Sequence, residues 1–262
     1  MNKEIDIVSE HCVWVDAGVL NYKLCDRGFD CEHCPLDAAL RDDNSVCGED
    51  EQGLSLSTVP FPEWDDLPDI LQPLLMPLRE IPICDAARYS SRHVWVRQTA
   101  AGMVRIGLDA FAVGLLPENA QLVTVANRSE VREGEAFGWV YAWNKTLPLP
   151  APVSGVVICR SGEHIDSMDK LRTSPYTDGC LLTLSPAVGT LATARVYSPA
   201  VHARRIQRHE TSMTARLRRT LEEGIDRVGL CLNDGGTPVA SLPELLGRER
   251  YWKLVSGYIG GE

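Results

Sequence analysis

The sequence predicts a mainly β protein with α extensions, an α+β chain built around a central β-sandwich or barrel. Residues 87–187 contain short stretches rich in Val, Leu and aromatic residues, separated by Gly, Pro and Asn. Residues 190–262 instead place apolar residues at helical spacing, and the first 50 residues hold five of the nine cysteines. We therefore predict a Cys-rich segment 1–50, an acidic Pro-rich linker 51–86, a β domain 87–189 and a helical C-terminal extension 190–262.

Charge and hydropathy exclude several classes of partner. The 262 residues carry a formal net charge of -10, which argues against nucleic acid or an anionic membrane surface. The first residues, MNKEIDIVSEH, contain no apolar h-region, and no run approaches the roughly 18 apolar residues of a spanning helix. We expect a cytoplasmic protein without membrane contact, whose cysteines are thiols or metal ligands rather than disulfides.

The N-terminal cysteines have spacings that suit a metal. Cys31 and Cys34 form a CxxC pair, Cys25 precedes them by six residues, and Cys12 lies further back. Four thiolates are enough for a tetrahedral zinc site. They are equally enough for an iron–sulfur cluster, and unligated thiols are the third alternative. The sequence leaves these three possibilities open.

The next segment, VPFPEWDDLPDILQPLLMPLREIP, is acidic and rich in proline. Its prolines prevent long helices and disfavour central strands, which is why we assign it to a linker. Its apolar residues indicate that the linker packs in patches against the rest of the chain. We expect these patches at Trp64, Leu71, Leu74 and Leu75.

The β domain is predicted from six short apolar stretches. They are HVWVRQ, MVRIGLDAF, QLVTVAN, EAFGWVYAW, SGVVICRSG and GCLLTLSP. Short strands at this spacing are typical of a sandwich or barrel. Two short helices are expected within the domain, at Leu108–Leu115 and His164–Leu171.

Two longer helices are predicted in the C-terminal extension. The first has one apolar stripe of residues that share helical spacing: Met213, Leu217, Leu221, Ile225 and Val228. The second follows Ser241 and Glu244, which have the spacing of a capping box, with Pro243 in the first turn.

The stretch from Tyr89 to Pro186 resembles the H protein of the glycine cleavage system. Five motifs carry the resemblance in the same order as in that family: YSSRHVWV, RIGLDAFA, VREGEAFGWV, APVSGVV and SPYTDGCLLTL. The resemblance implies a lipoyl/biotinyl-carrier-like β-sandwich, also called a barrel-sandwich hybrid. In that fold, a lysine at the tip of a hairpin carries the lipoyl group.

The position of this lysine departs from the family pattern. In the family it lies six residues after the glycine that corresponds to Gly138, and eight before the proline that corresponds to Pro152. Both counts lead to Asn144, and the nearest lysine is Lys145, one residue later. A slip of one residue in a strand turns a side chain to the opposite face. We therefore do not expect a lipoyl group, and Lys145 is the alternative attachment site.

Three functions follow from these observations. We expect a non-catalytic, H-protein-like docking protein whose partners are proteins, the redox or one-carbon enzymes of a multienzyme system. The alternatives are a working lipoyl carrier that uses Lys145, and an electron-transfer accessory protein with an iron–sulfur cluster on Cys12, Cys25, Cys31 and Cys34. The sequence contains no P-loop, GxGxxG, GxSxG or HExxH motif, so we do not expect an enzyme.

Overall fold

The fold is known from a computed structural model, which describes residues 25, 28–34, 54–100, 102–160, 168–225 and 239–260. The strands in these ranges are β1 Leu56–Pro60, β2 Glu80–Cys84, β3 Arg88–Ser90, β4 Val94–Gln98, β5 Val104–Leu108, β6 Gln121–Thr124, β7 Glu130–Val131, β8 Ala136–Ala142, β9 Lys145–Pro150, β10 Gly155–Arg160, β11 Cys180–Pro186 and β12 Val196–Tyr197. The α-helices are α1 Leu71–Leu75, α2 Ala110–Leu115, α3 Met168–Thr173, α4 Thr190–Thr193, α5 Pro199–Ile225, α6 Leu242–Leu246 and α7 Arg248–Ile259.

Two antiparallel sheets form the centre of the molecule. The larger has the strand order β12-β3-β4-β5-β11-β10-β7, and the smaller has the order β6-β8-β9. Buried side chains from both sheets belong to one hydrophobic core, with Ile106 and Leu182 from the larger sheet and Val140 and Leu149 from the smaller. The prediction of a mainly β, α+β sandwich is confirmed.

A close approach of strand and turn fixes one end of the larger sheet. A Cβ at Gly107 in β5 would lie 2.8 Å from the Trp95 ring and 2.7 Å from the carbonyl oxygen of Gly179, so only glycine fits. The Trp95 indole N–H reaches the carbonyls of Leu108 and Pro175, both at 3.0 Å. The turn before β11 is thereby held against β4 and β5.

The segment assigned to a linker contains regular structure. Strands β1 and β2 pair as an antiparallel hairpin, and α1 lies between them in the chain. Leu71, Leu74 and Leu75 are buried, and Trp64 is half-buried. Apolar burial of this kind explains why a proline-rich segment packs on the domain.

The long helix α5 packs on the sandwich through the stripe that the sequence indicates. Ile206, Met213 and Leu217 are buried along one face. The same face also buries His202 and Glu210, which are polar and therefore need an explanation beyond hydrophobic packing. His202 and Glu210 precede the predicted stripe and are as buried as Leu217, whereas Leu221 is half-buried. The Ile225 side chain and Val228, the last members of the predicted stripe, lie outside the described residues.

The C-terminal helices begin at the predicted capping residues. Ser241 is the N-cap of α6, but its side chain makes no capping bond. The Glu244 carboxylate instead accepts the backbone N–H of Ala240 at 2.8 Å. Gly247, at φ 78°, separates α6 from α7 in a conformation that suits glycine.

The expectation that every cysteine is a thiol or a metal ligand is wrong for Cys159. It forms a disulfide whose partner lies outside the described residues. Cys84 and Cys180 are buried thiols, and burial raises the pKa of both. None of the helices in the described ranges combines the length and apolar composition needed to cross a lipid bilayer.

Candidate functional site

The hairpin β8–β9 presents the predicted lipoyl position. Ala142 pairs with Lys145, and Trp143 and Asn144 form the two-residue turn between them. Both turn residues have positive φ, 49° and 63°, the pattern of a type I′ turn. Asparagine tolerates this conformation well, whereas a side chain such as Trp143 does so at a cost. Asn144 is exposed at the tip, and Lys145 is the first residue of β9.

Lys145 is bound to the C-terminal helix. Its Nζ lies 2.9 Å from Oε2 of Glu249, a residue in the first turn of α7. The Lys145 side chain is 31% exposed, while that of Glu249 is 82% exposed. The side chain is thus partly buried, and its amine forms an ion pair with a carboxylate instead of extending freely into solvent.

Aromatic contacts hold the start of α7 on the same hairpin. The rings of Trp143 and Tyr251 meet edge to face at 6.0 Å, and the Arg248 guanidinium lies 5.9 Å from the Trp143 ring. The Tyr251 hydroxyl donates to the carbonyl of Leu115 at 2.7 Å, which joins the helix to the end of α2. The first turn of α7 therefore lies beside the tip of the hairpin.

The far end of α7 also contacts the hairpin. A Cβ at Gly260, just past the helix, would lie 2.5 Å from Cδ1 of Leu147 in β9. A side chain at this position would have to displace the Leu147 side chain. Contacts at both ends of α7 place the helix along β9, and Lys145 lies under its beginning.

The structure thus brings Asn144 and Lys145 side by side but gives them different surroundings. Asn144 is exposed on the turn, and Lys145 pairs with Glu249. Whether either residue carries a group stays a prediction.

The predicted cysteine site is only partly within the described residues. The backbone N–H of Phe29 donates to Cys25 Sγ at 3.2 Å, and Cys34 N–H donates to the Cys31 carbonyl at 3.1 Å. Cys12 lies outside the described residues. Within the described ranges, the three sulfurs of Cys25, Cys31 and Cys34 do not form a group with ligand atoms close enough to share an ion. Metal binding by these cysteines stays a prediction.

A different cluster, which the sequence analysis did not find, lies between the sandwich and α5. His93 Nδ1 is 2.8 Å and His202 Nε2 is 2.6 Å from the same atom, Oδ2 of Asp109. The other carboxylate oxygen, Oδ1, accepts the backbone N–H of Ala112 at 2.8 Å, so Asp109 caps α2. His93 Nε2 in turn lies 2.9 Å from His209 Nδ1.

Strand register explains how the cluster forms. Val94, the first residue of β4, pairs with Leu108, the last residue of β5. His93, just before β4, and Asp109, just after β5, therefore lie opposite each other. The Asp109 N–H donates to the His93 carbonyl at 2.9 Å, and His93 has a φ of 61°. Helix α5 then adds His202, whose ring stacks on Tyr89 with centroids 4.0 Å apart.

Electrostatics make this cluster unusual for a protein interior. Burial alone raises the pKa of the Asp109 carboxyl, but the His93 and His202 imidazoles beside it outweigh burial and hold that pKa well below its usual range. Burial lowers the pKa of His202, because it disfavours the imidazolium. Asp109 is therefore a buried carboxylate held by two imidazoles.

Two further titratable groups lie on the same face of α5. Burial, followed by the nearby His93 and Arg205, lowers the pKa of His209 to about 4. Burial alone raises the pKa of Glu210 to about 8, and neither of its carboxylate oxygens has a hydrogen-bond partner among the described residues. Helix α5 thus contributes three titratable side chains to the contact with the sandwich.

The sequence does not predict this cluster, because no motif spacing connects its members. One signal was present: His202, Ile206, His209 and Met213 recur at helical spacing and extend the apolar stripe of α5 towards its N-terminus. Histidines on a buried stripe indicate a polar partner on the facing surface, which here is Asp109.

Comparisons with known proteins identify the sandwich. The family model of the glycine cleavage H-protein matches residues 87–200. The glycine cleavage system H protein of Synechococcus sp. (strain WH7803) is 33% identical over 102 residues, which are 39% of this chain and 78% of that protein. The corresponding protein of Rippkaea orientalis is 36% identical over 98 residues, or 37% and 74% of the two chains.

A solved structure is also similar. The glycine cleavage system H protein from Mycobacterium marinum is 26% identical and covers 47% of this chain and 98% of its own, with a TM-score of 0.39. The family match ends at residue 200, so almost all of α5 and the whole of α6 and α7 lie beyond it. The five motifs between Tyr89 and Pro186, the two-sheet sandwich and the relatives agree, and the chain belongs to the glycine cleavage H-protein family.

Proposed function

We propose that this protein is a non-catalytic docking protein with the H-protein fold, which works without a lipoyl arm in a redox or one-carbon multienzyme system. The observation that carries the proposal is Asn144 at the tip of the β8–β9 hairpin. A lipoyl group is attached through an amide bond to an amine. The carboxamide of Asn144 offers no such nucleophile.

The surroundings of Lys145 support the proposal. Its Nζ pairs with Glu249 at 2.9 Å, and its side chain is only 31% exposed. Lys145 is the first residue of β9 and lies beyond the turn, so it does not occupy the position at the tip that Asn144 holds. A ligase that recognises the tip of a carrier hairpin would have to break the ion pair with Glu249 before it reached this amine.

Helix α7 supports a role in binding rather than in transport. A swinging arm needs a hairpin that is open to several enzymes in turn. Here Trp143 packs against Tyr251, and Leu147 lies against Gly260, so the chain's own helix occupies one side of the hairpin. What remains of the carrier is a rigid sandwich whose surface can dock onto a partner protein.

The test is lipoylation of purified full-length protein by a lipoate ligase, read by intact and peptide mass spectrometry. The H protein of Synechococcus serves as the positive control. We expect the wild type to stay unmodified, and the double variant Asn144→Lys, Lys145→Arg to accept one lipoyl group at position 144. The second result would show that the enzyme reaches the hairpin and that only the amine was missing.

A lipoyl group on wild-type Lys145 that disappears in Lys145→Arg would overturn the proposal and make the protein a working carrier. The mass of protein purified from its own host gives an independent answer. A lipoyl increment on that material would have the same consequence, whatever the result with the added ligase.

A further inference from the structure

We propose that His93, Asp109 and His202 form a site for one divalent zinc-like ion, which fastens helix α5 to the carrier sandwich. The three ligand atoms, Nδ1, Oδ2 and Nε2, all lie within 4.8 Å of one another and are buried. In the described ranges no other set of His, Cys, Asp and Glu side chains meets this condition. The proposal is independent of the lipoylation state of the hairpin.

The donor set fits zinc. Two imidazole nitrogens and one carboxylate oxygen are donors that zinc accepts in three-ligand sites, and imidazole also suits other first-row ions such as cobalt. Neighbouring ligand atoms around a tetrahedral zinc ion lie about 3.3 Å apart. The present distances of 2.6 and 2.8 Å to Asp109 would need to open by about half an ångström to admit the ion.

Charge balance gives a reason for an ion at this place. Asp109 is fully buried, and its ion-pair partners among the described residues are the two histidines alone, with no lysine or arginine. A buried carboxylate is costly unless a cation or several hydrogen bonds compensate it. A divalent ion would supply that cation and leave both imidazoles neutral.

The surrounding groups already hold the ligands in place. The N–H of Ala112 fixes Oδ1 of Asp109, which leaves Oδ2 for the ion. If His93 binds through Nδ1, its Nε2 carries the proton and donates to His209 Nδ1, 2.9 Å away. Such a partner on the second nitrogen is the usual way in which a protein orients a metal-binding histidine. His93 also keeps a φ of 61°, which costs energy for a residue other than glycine.

The site belongs to this chain rather than to the matched family segment. His93 and Asp109 lie within residues 87–200, but His202 and His209 follow that match. The ion would therefore join the family sandwich to an element outside it. Removal of the ion should loosen α5 without unfolding the sandwich.

Cobalt is the probe for the experiment, because its visible absorption reports four-coordinate geometry. Metal-free full-length protein is titrated with Co²⁺, in parallel with the variants Asp109→Asn and His202→Gln. The matched control is Glu210→Gln, a buried change on the same helix that leaves all three ligands intact. Circular dichroism of each metal-free variant establishes that it is folded.

We expect the wild type and Glu210→Gln to bind one Co²⁺ at this site, with visible bands that are distinct from the thiolate charge-transfer band that Co²⁺ at the N-terminal cysteines would add. Asp109→Asn and His202→Gln should bind at least tenfold more weakly at this site. Chelation should lower the Tm of the wild type by several degrees.

Wild-type protein without such bands would overturn the proposal, and the three groups would then form a hydrogen-bonded network only. The same holds if Asp109→Asn keeps the bands unchanged. If Asp109→Asn does not fold, the comparison of the wild type with Glu210→Gln and His202→Gln decides the question by itself.

Discussion

Asn144 occupies a backbone conformation that excludes most side chains. Its φ of 63° suits asparagine, but a β-branched side chain at such a residue clashes with the neighbouring backbone. We predict that Asn144→Val lowers the free energy of unfolding by about 1–2 kcal/mol in urea titrations. The control is Thr146→Val, at an exposed strand position of β9, where valine is favoured. Equal effects of the two substitutions would contradict the turn geometry.

Glu210 should make the stability of the protein depend on pH. Its pKa rises from a usual 4.5 to about 8 in the folded protein, so the folded state holds this proton more tightly than the unfolded state. The stability from Glu210 is therefore complete below pH 4.5 and is lost as the pH rises towards 8.

This predicts that the free energy of unfolding of the wild type falls by on the order of 3 kcal/mol between pH 5 and 8, relative to Glu210→Gln. Glutamine has nearly the same shape and does not titrate, so the difference between the two curves isolates this one group. Parallel curves for the two proteins would show that Glu210 is solvated or paired.

At the scale of elements, the ion pair between Lys145 in β9 and Glu249 in α7 should slow chemical modification of the Lys145 amine more than it stabilises the fold. An exposed ion pair such as that of Lys145 and Glu249 contributes only about 0–1 kcal/mol. We predict that Glu249→Gln changes stability by less than about 1 kcal/mol but raises the acetylation rate of Lys145 severalfold. Peptide mass spectrometry after brief acetic anhydride treatment measures that rate.

The control for this experiment is Glu222→Gln, an exposed carboxylate on α5. Lys170 and Lys253 provide internal reference rates in the same digest. If Lys145 reacts equally fast in the wild type and in Glu249→Gln, the Glu249 carboxylate does not shield the amine.

At the scale of the whole molecule, the sandwich could be predicted because the sequence signals of its strands and turns are local. Short Val- and Leu-rich stretches, turn residues and the ordered motifs from Tyr89 to Pro186 each carry a signal within a few residues. The stripe of Met213 and Leu217 likewise identified α5 from its own spacing. Local patterns of this kind match the folded structure because the apolar residues that form them are buried.

The contacts between these parts could not be predicted in the same way. Asp109 and His202 are far apart in sequence, and no local pattern indicates that α5 brings His202 to Asp109. The pairing of Lys145 with Glu249 depends on the direction in which α7 returns over the hairpin. Both contacts depend on tertiary packing. Motif spacings therefore located Asn144 in the hairpin but did not predict which residues of α7 lie beside that hairpin.

The N-terminal segment should behave as a separate metal-binding unit. The Phe29 N–H donates to Cys25 Sγ at 3.2 Å, which links this sulfur to a residue close to the CxxC pair in sequence. We predict that a variant with Cys12, Cys25, Cys31 and Cys34 all changed to serine loses the zinc or iron held by these cysteines but keeps any ion at His93, Asp109 and His202. Elemental analysis measures the loss. A metal content equal to that of the wild type would show that these cysteines bind no metal.

The prolines of β9 have a consequence for how copies of this chain meet one another. Strand β9 is one of the two edge strands of the smaller sheet. Since Lys145 pairs with Ala142 next to the turn, alternate residues from Thr146 onward direct their backbone nitrogens away from β8. Pro148 and Pro150 occupy two of these outward positions and have no N–H to offer. A foreign strand could not continue the sheet there, so the exposed edge is protected against amyloid-like stacking and strand exchange between molecules.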